Sequence, residues 1–371
     1  MSNPLILPGA FSPEDSRHRQ HMTNPPHRAE MLVLARDERG LTQADVATAF
    51  GISQGMLSKL ESGYGSLSAE LAEAMASTYG RPVEFFRYEG PIESPTFVLY
   101  RKSANVPPDI HKRFWSKITI AVIELKRLLT GAELTTAPLP FIDPDECRGG
   151  VAEVATRLRR MWKLPPGPVN NLIRTVENAG GIVLKMDFGT RKISGCSGFI
   201  DRHPVIFVNQ DMSAVRQRLT IAHEAGHLII HRYPSDKAEE QAFLFGMELL
   251  TPREEILPML RPLSMDRFAR LKMYWQVSIQ ALVKRAEGLG CIKASTARYY
   301  WAQLTARGYK ESEPYDDQIR SEEPTLVPEI LSTYLGVLKY SKEELARLML
   351  VEPAELTNRY LGFSNQLRVV R

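Results

Sequence analysis

His223, Glu224 and His227, within Ile221-Ala222-His223-Glu224-Ala225-Gly226-His227-Leu228, have the residue types and spacing for metal-assisted hydrolysis. On a helix, residues four apart share a face, so two imidazoles at that spacing can bind one zinc ion. Glu224, beside the first of them, can then reach a water held at that ion and accept its proton. This is the donor set of zinc-dependent peptide-bond cleavage. The flanks agree: Leu219, Ala222, Leu228, Ile229 and Ile230 form an apolar, helix-compatible pattern, and Arg216-Gln217-Arg218 form a polar first turn. Gly226 leaves room beside the ligands for a second backbone or for the ion.

Zinc needs a third protein ligand and an open fourth position. After a break at Tyr233-Pro234-Ser235-Asp236, a second helix is expected, carrying Glu239, Glu240, Ala242, Phe243, Phe245, Leu249 and Leu250 and stopping at Thr251-Pro252. A carboxylate one turn into that helix would complete the site, and spacing leaves Glu239 and Glu240 as alternatives. His231 lies four past His227 on the same face. It is a candidate for bracing a ligand or touching substrate, against the plainer reading of a structural or exposed histidine. Upstream, Gly181 to Met186 reads as a strand and Ser197 to Asn209 as a hairpin turning at Asp201 to Pro204. An exposed strand edge there could hold an extended peptide by main-chain hydrogen bonds.

A second constellation lies near the N-terminus. Thr42 is a plausible cap for a short helix opening at Gln43, with Val46, Ala47 and Phe50 on its apolar face. Gly51-Ile52-Ser53 turns the chain into a second helix, Gln54 to Glu61, with Leu57 and Leu60 inward. This is helix-turn-helix patterning. The second helix would present Gln54, Ser58 and Lys59, with Ser53 at its start, to a major groove. Gln43 could donate to a backbone phosphate, which sets register but does not read sequence. Between residues 28 and 87 there are six Lys/Arg against eight Asp/Glu, a balance of 6 − 8 = −2. Phosphate neutralisation supplies most non-specific affinity, so this unit alone should bind DNA weakly. Dimerisation onto two half-sites would help, and a homodimer is among the expected assemblies. A basic stretch, residues 101–127, either assists or forms one solvated face of a helix from Asp109 to Leu129; the second reading is preferred.

Two resemblances follow from these residues. The run Arg218 to His231, followed by Glu239-Glu-Gln-Ala242-x-x-Phe245-Gly-x-x-Leu249-Leu-Thr-Pro252, resembles the ImmA/IrrE metallopeptidases. Their second segment usually reads Glu-x-x-Ala-Asn-x-Phe-Ala-x-x-Leu-Leu-Met-Pro. Alignment on Ala242 implies Glu239 as the third ligand. Phe243 stands where Asn or Asp is usual, which would remove a polar partner of a histidine; Gly246 and Thr251 replace Ala and Met. The stretch from Arg28 to Arg87, with Leu41-Thr-Gln-Ala-Asp-Val-Ala, Gly51 to Glu61 and Pro82-Val-Glu-Phe-Phe86, resembles the XRE-type, phage-repressor-like DNA-binding domains. It implies a further helix at 69–78. Trp275 to Arg285 resembles the segment that often follows the metal helices in fused XRE–ImmA/IrrE proteins. There Ser278 would cap a helix; Tyr274 or Arg285 could face the cleft and steady an oxyanion, but a packing or surface role is the preferred reading for both.

Composition sets the frame. A length of 371 residues suggests two or three domains, and 43% hydrophobic with 24% charged residues is ordinary globular usage. The net charge of +4 permits nucleic-acid contact without demanding it. Cys147, Cys196 and Cys291 are isolated and do not space as zinc ligands, which fits a reducing compartment. No apolar run reaches the roughly 18 residues of a membrane span, and Pro4 to His27 lacks a signal-peptide core.

The expected architecture is mainly α with a small β-sheet (α+β). It comprises a disordered arm (1–27), an all-α helix-turn-helix domain (28–90), a linker and connector helix (91–140), a zincin-like peptidase domain (141–255) and a helical C-terminal region (256–371). In the last, Ser341-Lys-Glu-Glu344 is a capping box. The expected protein is a cytoplasmic regulator that makes no membrane contact. It would bind operator DNA and use Zn²⁺ to cleave a repressor-type protein, a partner or itself, on a stress or mobile-element signal. In that scheme His223, His227 and Glu239 hold the metal and Glu224 is the base. Two other classes fit the same residues: a non-catalytic repressor whose peptidase-like domain senses an effector, and a peptidase whose helix-turn-helix binds a protein.

Overall fold

The structure is a computed structural model describing residues 27–92, 106–132 and 139–361. The expected arm, His27 aside, and residues 93–105 of the expected linker lie outside the described residues.

The N-terminal helices form where capping and punctuation direct. Helices α1 (Ala29–Arg39), α2 (Gln43–Ala49), α3 (Gln54–Glu61) and α4 (Ala69–Tyr79) are followed by a 3-10 turn, Val83–Arg87. Thr42 and Asp45 form a reciprocal capping box at α2, and the Ser53 and Ser68 hydroxyls accept from the third residues of α3 and α4. Gly40 and Gly80 end α1 and α4 in the left-handed region, where a glycine carries no Cβ penalty. Met31, Leu32, Val46, Leu57, Leu60, Met75, Phe85 and Phe86 make the core of this head.

Helix α5 (Pro108–Thr130) differs from the expectation of one solvated face: it is buried on two sides. Ile120 and Ile123 enter the head's core, and Phe114, Ile118, Ala121, Leu125 and Leu128 enter a second core with the sheet. Burying a side chain of this size stabilises by roughly 1.5–3 kcal/mol, so the apolar contacts dominate. The cations of the 101–127 stretch that are described mostly have protein partners. Lys117 pairs with Asp187 at 3.0 Å and Lys126 with Asp201 at 2.9 Å. Arg113 donates to the Glu38 carbonyl at 3.2 Å, and Arg127 donates to the Leu348 carbonyl. Helical spacing had shown one apolar stripe; the opposite face found partners too distant in sequence to foresee.

The body contains α6 (Gly150–Met161), α7 (Leu172–Asn178), strands β1 (Ile182–Met186), β2 (Gly195–Ile200) and β3 (His203–Asn209), then α8 (Ala214–Ile230) and α9 (Ala238–Leu250). The sheet order is β1-β3-β2, with β1 parallel and β2 antiparallel to β3. The hairpin turns at Asp201-Arg202, Asp201 taking a positive φ of 52°. Alternation sends Val183, Ile206 and Val208 toward α7 and α8, and Ile182, Leu184, Val205 and Phe207 toward α5.

The later helices share these cores. Helix α10 is a single turn (Arg253–Ile256). Helices α11 (Met265–Trp275), α12 (Ile279–Gly288) and α13 (Ala294–Ala306) contribute Phe268, Trp275, Leu282, Ala286 and Leu304 to the core of α8 and α9. Helices α14 (Leu326–Gly336) and α15 (Lys342–Met349) cover the second face of the sheet with α5, and the expected capping box at Ser341 and Glu344 is present. A short helix α16 (Pro353–Glu355) and a π-turn, Leu356–Leu361, end the described chain.

A buried charge cluster joins head, α5 and this terminal segment. Arg81, with no exposed side-chain surface, pairs with Glu38 and Glu124 at 2.6 Å each and with Glu355 at 3.5 Å. Arg359 reaches Glu124 at 3.0 Å. Such clusters add little net stability but are costly to break singly.

Candidate metal centre

Helix α8 follows β3 after Ser213 and presents a buried stripe, Ile221, Ala222, Ala225, Leu228 and Ile229, to the core. The 3.6-residue repeat then sets His223 and His227 together on the flank that meets α9. Two glycines let the helices close. A Cβ at Gly226 would lie 2.8 Å from the Phe245 ring, and one at Gly246 would lie 3.1 Å from the His223 backbone nitrogen. The expected room beside the ligands at Gly226 is thus filled by Phe245.

This closeness carries Glu239, in the first turn of α9, to the histidines. The Nε2 atoms of His223 and His227 are 3.0 Å apart, and Glu239 oxygens lie 3.5 Å and 3.4 Å from them. Two donors on a tetrahedral zinc at bond lengths of 2.0–2.1 Å sit roughly 3.3 Å apart. The separations fit such an ion, and the donor set of two imidazoles and one carboxylate is of the type zinc takes. Among the described residues no other such cluster of His, Cys, Asp or Glu occurs. Glu240 is exposed and lies outside it. Burial pushes the Glu239 carboxyl up, but the adjoining imidazoles, His223 first, outweigh it and hold the carboxyl well below the usual range. The group is thus the anionic donor a cation needs.

Glu224 is buried, and its carboxylate is held by a residue the sequence did not suggest. Ser197 Oγ, on β2, donates to Glu224 Oε2 at 2.7 Å. Gly195, two residues earlier on the same strand face, has no Cβ; one there would meet Thr220 at 2.5 Å and the Glu224 side chain at 3.5 Å. The hairpin thus packs closely enough on α8 to place a serine on the acid. Phe199, next on that face, is 40% exposed. Cys196 points to the opposite face, where burial, with the Glu224 charge adding, pushes its thiol up and leaves it unreactive.

His231 is buried beside His227. Its Nδ1 lies 3.1 Å from His227 Nδ1, and its Nε2 lies 3.0 Å from Gln241 Oε1. Burial pushes the imidazole below its ordinary value despite the bond to Gln241, favouring the neutral ring. The polar partner that Phe243 does not provide is therefore supplied from another direction. Phe243 itself lies under the Lys284 ammonium, 3.7 Å from ring centroid to nitrogen. The i,i+4 relation of His227 and His231 was visible in the sequence; Gln241 had no signal beyond lying two residues after Glu239.

Arg285 takes the packing role and not the cleft-facing one. It does not face an open cleft: it is buried, pairs with Glu248 and donates to the Thr251 carbonyl at 2.8 Å. Its guanidinium ties α12 to the end of α9, because two buried acceptors there need a donor. Tyr274 is half-exposed; its ring meets Trp275 edge-on and its hydroxyl lies beside Gly167, so the structure does not bring it to the cluster. Ser278 caps α12 as expected, accepting from the Ala281 N–H at 3.1 Å.

On the head, Gln54 and Lys59 are exposed on α3 and Ser58 is half-buried. Ser53 is also exposed, and its hydroxyl caps α3. Gln43 donates to Glu61 at 2.8 Å, and Glu61 also accepts from Arg36 at 2.6 Å. Met56, 45% exposed on the same helix, and Tyr64, 87% exposed just after it, are apolar members of this surface that a search for polar groups passes over. Helix α1 carries the main contacts to α5.

Residues 176–287 match a peptidase-family model described as the IrrE N-terminal-like domain, and residues 32–86 match one described as helix-turn-helix. The first match runs from α7 to α12 and contains the whole cluster; the second runs from α1 to Phe86. No curated protein matches the chain. No helix among the described residues is long and apolar enough to cross a membrane.

Proposed function

We propose that this chain, an XRE-type helix-turn-helix domain fused to an ImmA/IrrE-type peptidase domain, is a transcriptional regulator whose body is a zinc-dependent endopeptidase. The observation that carries the reading is the convergence of His223, His227 and Glu239, their ligand atoms all within 4.8 Å of one another, beside a buried Glu224. His223, His227 and Glu239 would hold the ion, and the chemistry a bound zinc supplies is polarisation of the scissile carbonyl and acidification of a water.

The chain's own groups do the rest. Glu224 accepts the proton of the attacking water and passes it to the leaving amine. Ser197 holds one oxygen of that carboxylate, so proton transfer falls to the other. The buried wall of α8, β2 and β3 limits bulk water on one side of the site. The edge of β2 offers an extended peptide main-chain partners, with Phe199 on the face that carries Ser197. The substrate class is a repressor-type protein, a partner or a second copy of this chain, and the trigger is a stress or mobile-element signal. The head binds operator DNA through α3, with Gln54, Ser58 and Lys59 toward the groove.

The test is purification of the full chain with its native metal, then incubation with proteins encoded next to it. Glu224→Gln should keep zinc and lose all cleavage. Cleavage that persists in the variant, or a wild-type protein that takes up no zinc, overturns the enzyme. Binding to its own upstream DNA across a salt series should weaken as salt rises; flat or absent binding removes DNA from the account.

A further inference from the structure

We infer that Gln241, acting through His231, sets the tautomer of His227 and so aims its Nε2 lone pair at the metal position. This inference rests on the zinc reading above. A neutral imidazole has one N–H and one lone pair, so a chain of two rings has a direction. Gln241 Oε1 is only an acceptor, and His231 Nε2, 3.0 Å away, must donate to it. His231 Nδ1 is then the lone pair. It faces His227 Nδ1 at 3.1 Å, so that atom carries the proton. His227 Nε2 is left with its lone pair, 3.0 Å from His223 Nε2 and 3.4 Å from Glu239 Oε1.

Rotation of the Gln241 amide reverses all of this. Its NH₂ would donate to His231 Nε2, His231 Nδ1–H would donate to His227 Nδ1, and a proton would sit on His227 Nε2, inside the ligand set. A metal–nitrogen bond is then blocked. The terminal amide is therefore the element that decides whether the ring is a ligand. Gln241 lies two residues after Glu239 on α9, so one helical turn delivers both a ligand and the group that orients the ligand opposite. His227 is 1% exposed and cannot take a hydrogen bond from bulk water instead.

The experiment uses the full-length protein, stripped of metal, and three variants. Nitrogen-15 NMR of the wild-type protein should show His227 protonated at Nδ1 and His231 at Nε2. Zinc affinity is read by competition with a chromophoric chelator. Gln241→Glu fixes an acceptor and should bind zinc at least as tightly as wild type. Gln241→Leu and Gln241→Lys should bind about 10–100-fold more weakly. A merely structural glutamine would make all three variants similar. If the wild type binds zinc and the variants agree with it within about twofold, or if apo His227 carries its proton on Nε2, the inference is overturned and the zinc reading stands. If the wild type binds no zinc, both fall.

Discussion

Gly226→Ala tests whether the distance between α8 and α9 makes the proposed metal centre. The added Cβ would lie 2.8 Å from Phe245 Cδ1, 3.2 Å from Cγ and 3.3 Å from Cβ. Carbon atoms rest at about 3.5–4.0 Å, so a gap of roughly 0.7 Å must open. Rotating the ring cannot relieve all of it, because Phe245 Cβ is among the crowded atoms. Overpacking of this kind costs about 1–3 kcal/mol, and the gain from alanine over glycine within a helix offsets about 1 kcal/mol. The net loss of stability is thus about 0–2 kcal/mol. Zinc tolerates about 0.2 Å of ligand displacement, while Glu239 moves with α9. Zinc affinity should therefore fall at least about tenfold while the apo protein stays folded. Chelator competition and apo thermal unfolding measure the two effects separately. Phe245→Leu in the same chain removes ring atoms from the contact and should restore part of the affinity. Wild-type zinc binding by Gly226→Ala, with unchanged apo unfolding, would refute the argument that helix proximity sets the ligand geometry.

Two further outcomes follow from buried charge. Arg285→Met strands the Glu248 carboxylate without its guanidinium and should cost roughly 3–5 kcal/mol in chemical denaturation, while zinc affinity of the folded fraction stays within about twofold of wild type; a mutant as stable as wild type refutes the tie between α12 and α9. For Glu38, burial pushes the carboxyl up, but the charge and hydrogen bonds of Arg81 outweigh it and hold it below its ordinary 4.5. A depressed folded value stabilises above 4.5 and is lost as pH falls through the folded value. The stability gap between wild type and Glu38→Gln should therefore narrow from about pH 6 to about pH 3; a gap that is constant or widens on acidification contradicts the pairing with Arg81.

Local chemistry carried much of the reading. His223, Glu224 and His227 could be recognised because helical periodicity converts a spacing of four into a shared face, whatever the surroundings. The helix-turn-helix was legible for the same reason: Thr42 is a cap whose hydrogen bond closes within three residues, although the equivalent caps at Ser53 and Ser68 emerged only in the structure. The sheet's strands also followed from alternation and turn residues, within a residue or two. The choice of Glu239 over Glu240 needed either the family resemblance or the packing of α9 on α8. What the sequence could not indicate were contacts between groups far apart along the chain. Ser197 meets Glu224 across 27 positions and Gln241 meets His231 across ten. Arg285 finds Glu248 across 37, and Lys117 and Lys126 of α5 find Asp187 after β1 and Asp201 in the β2–β3 turn. Side-chain type sets what each group can donate or accept, but only the close approach of helices at Gly226 and Gly246, and of β2 at Gly195, determined which partner came within 3 Å.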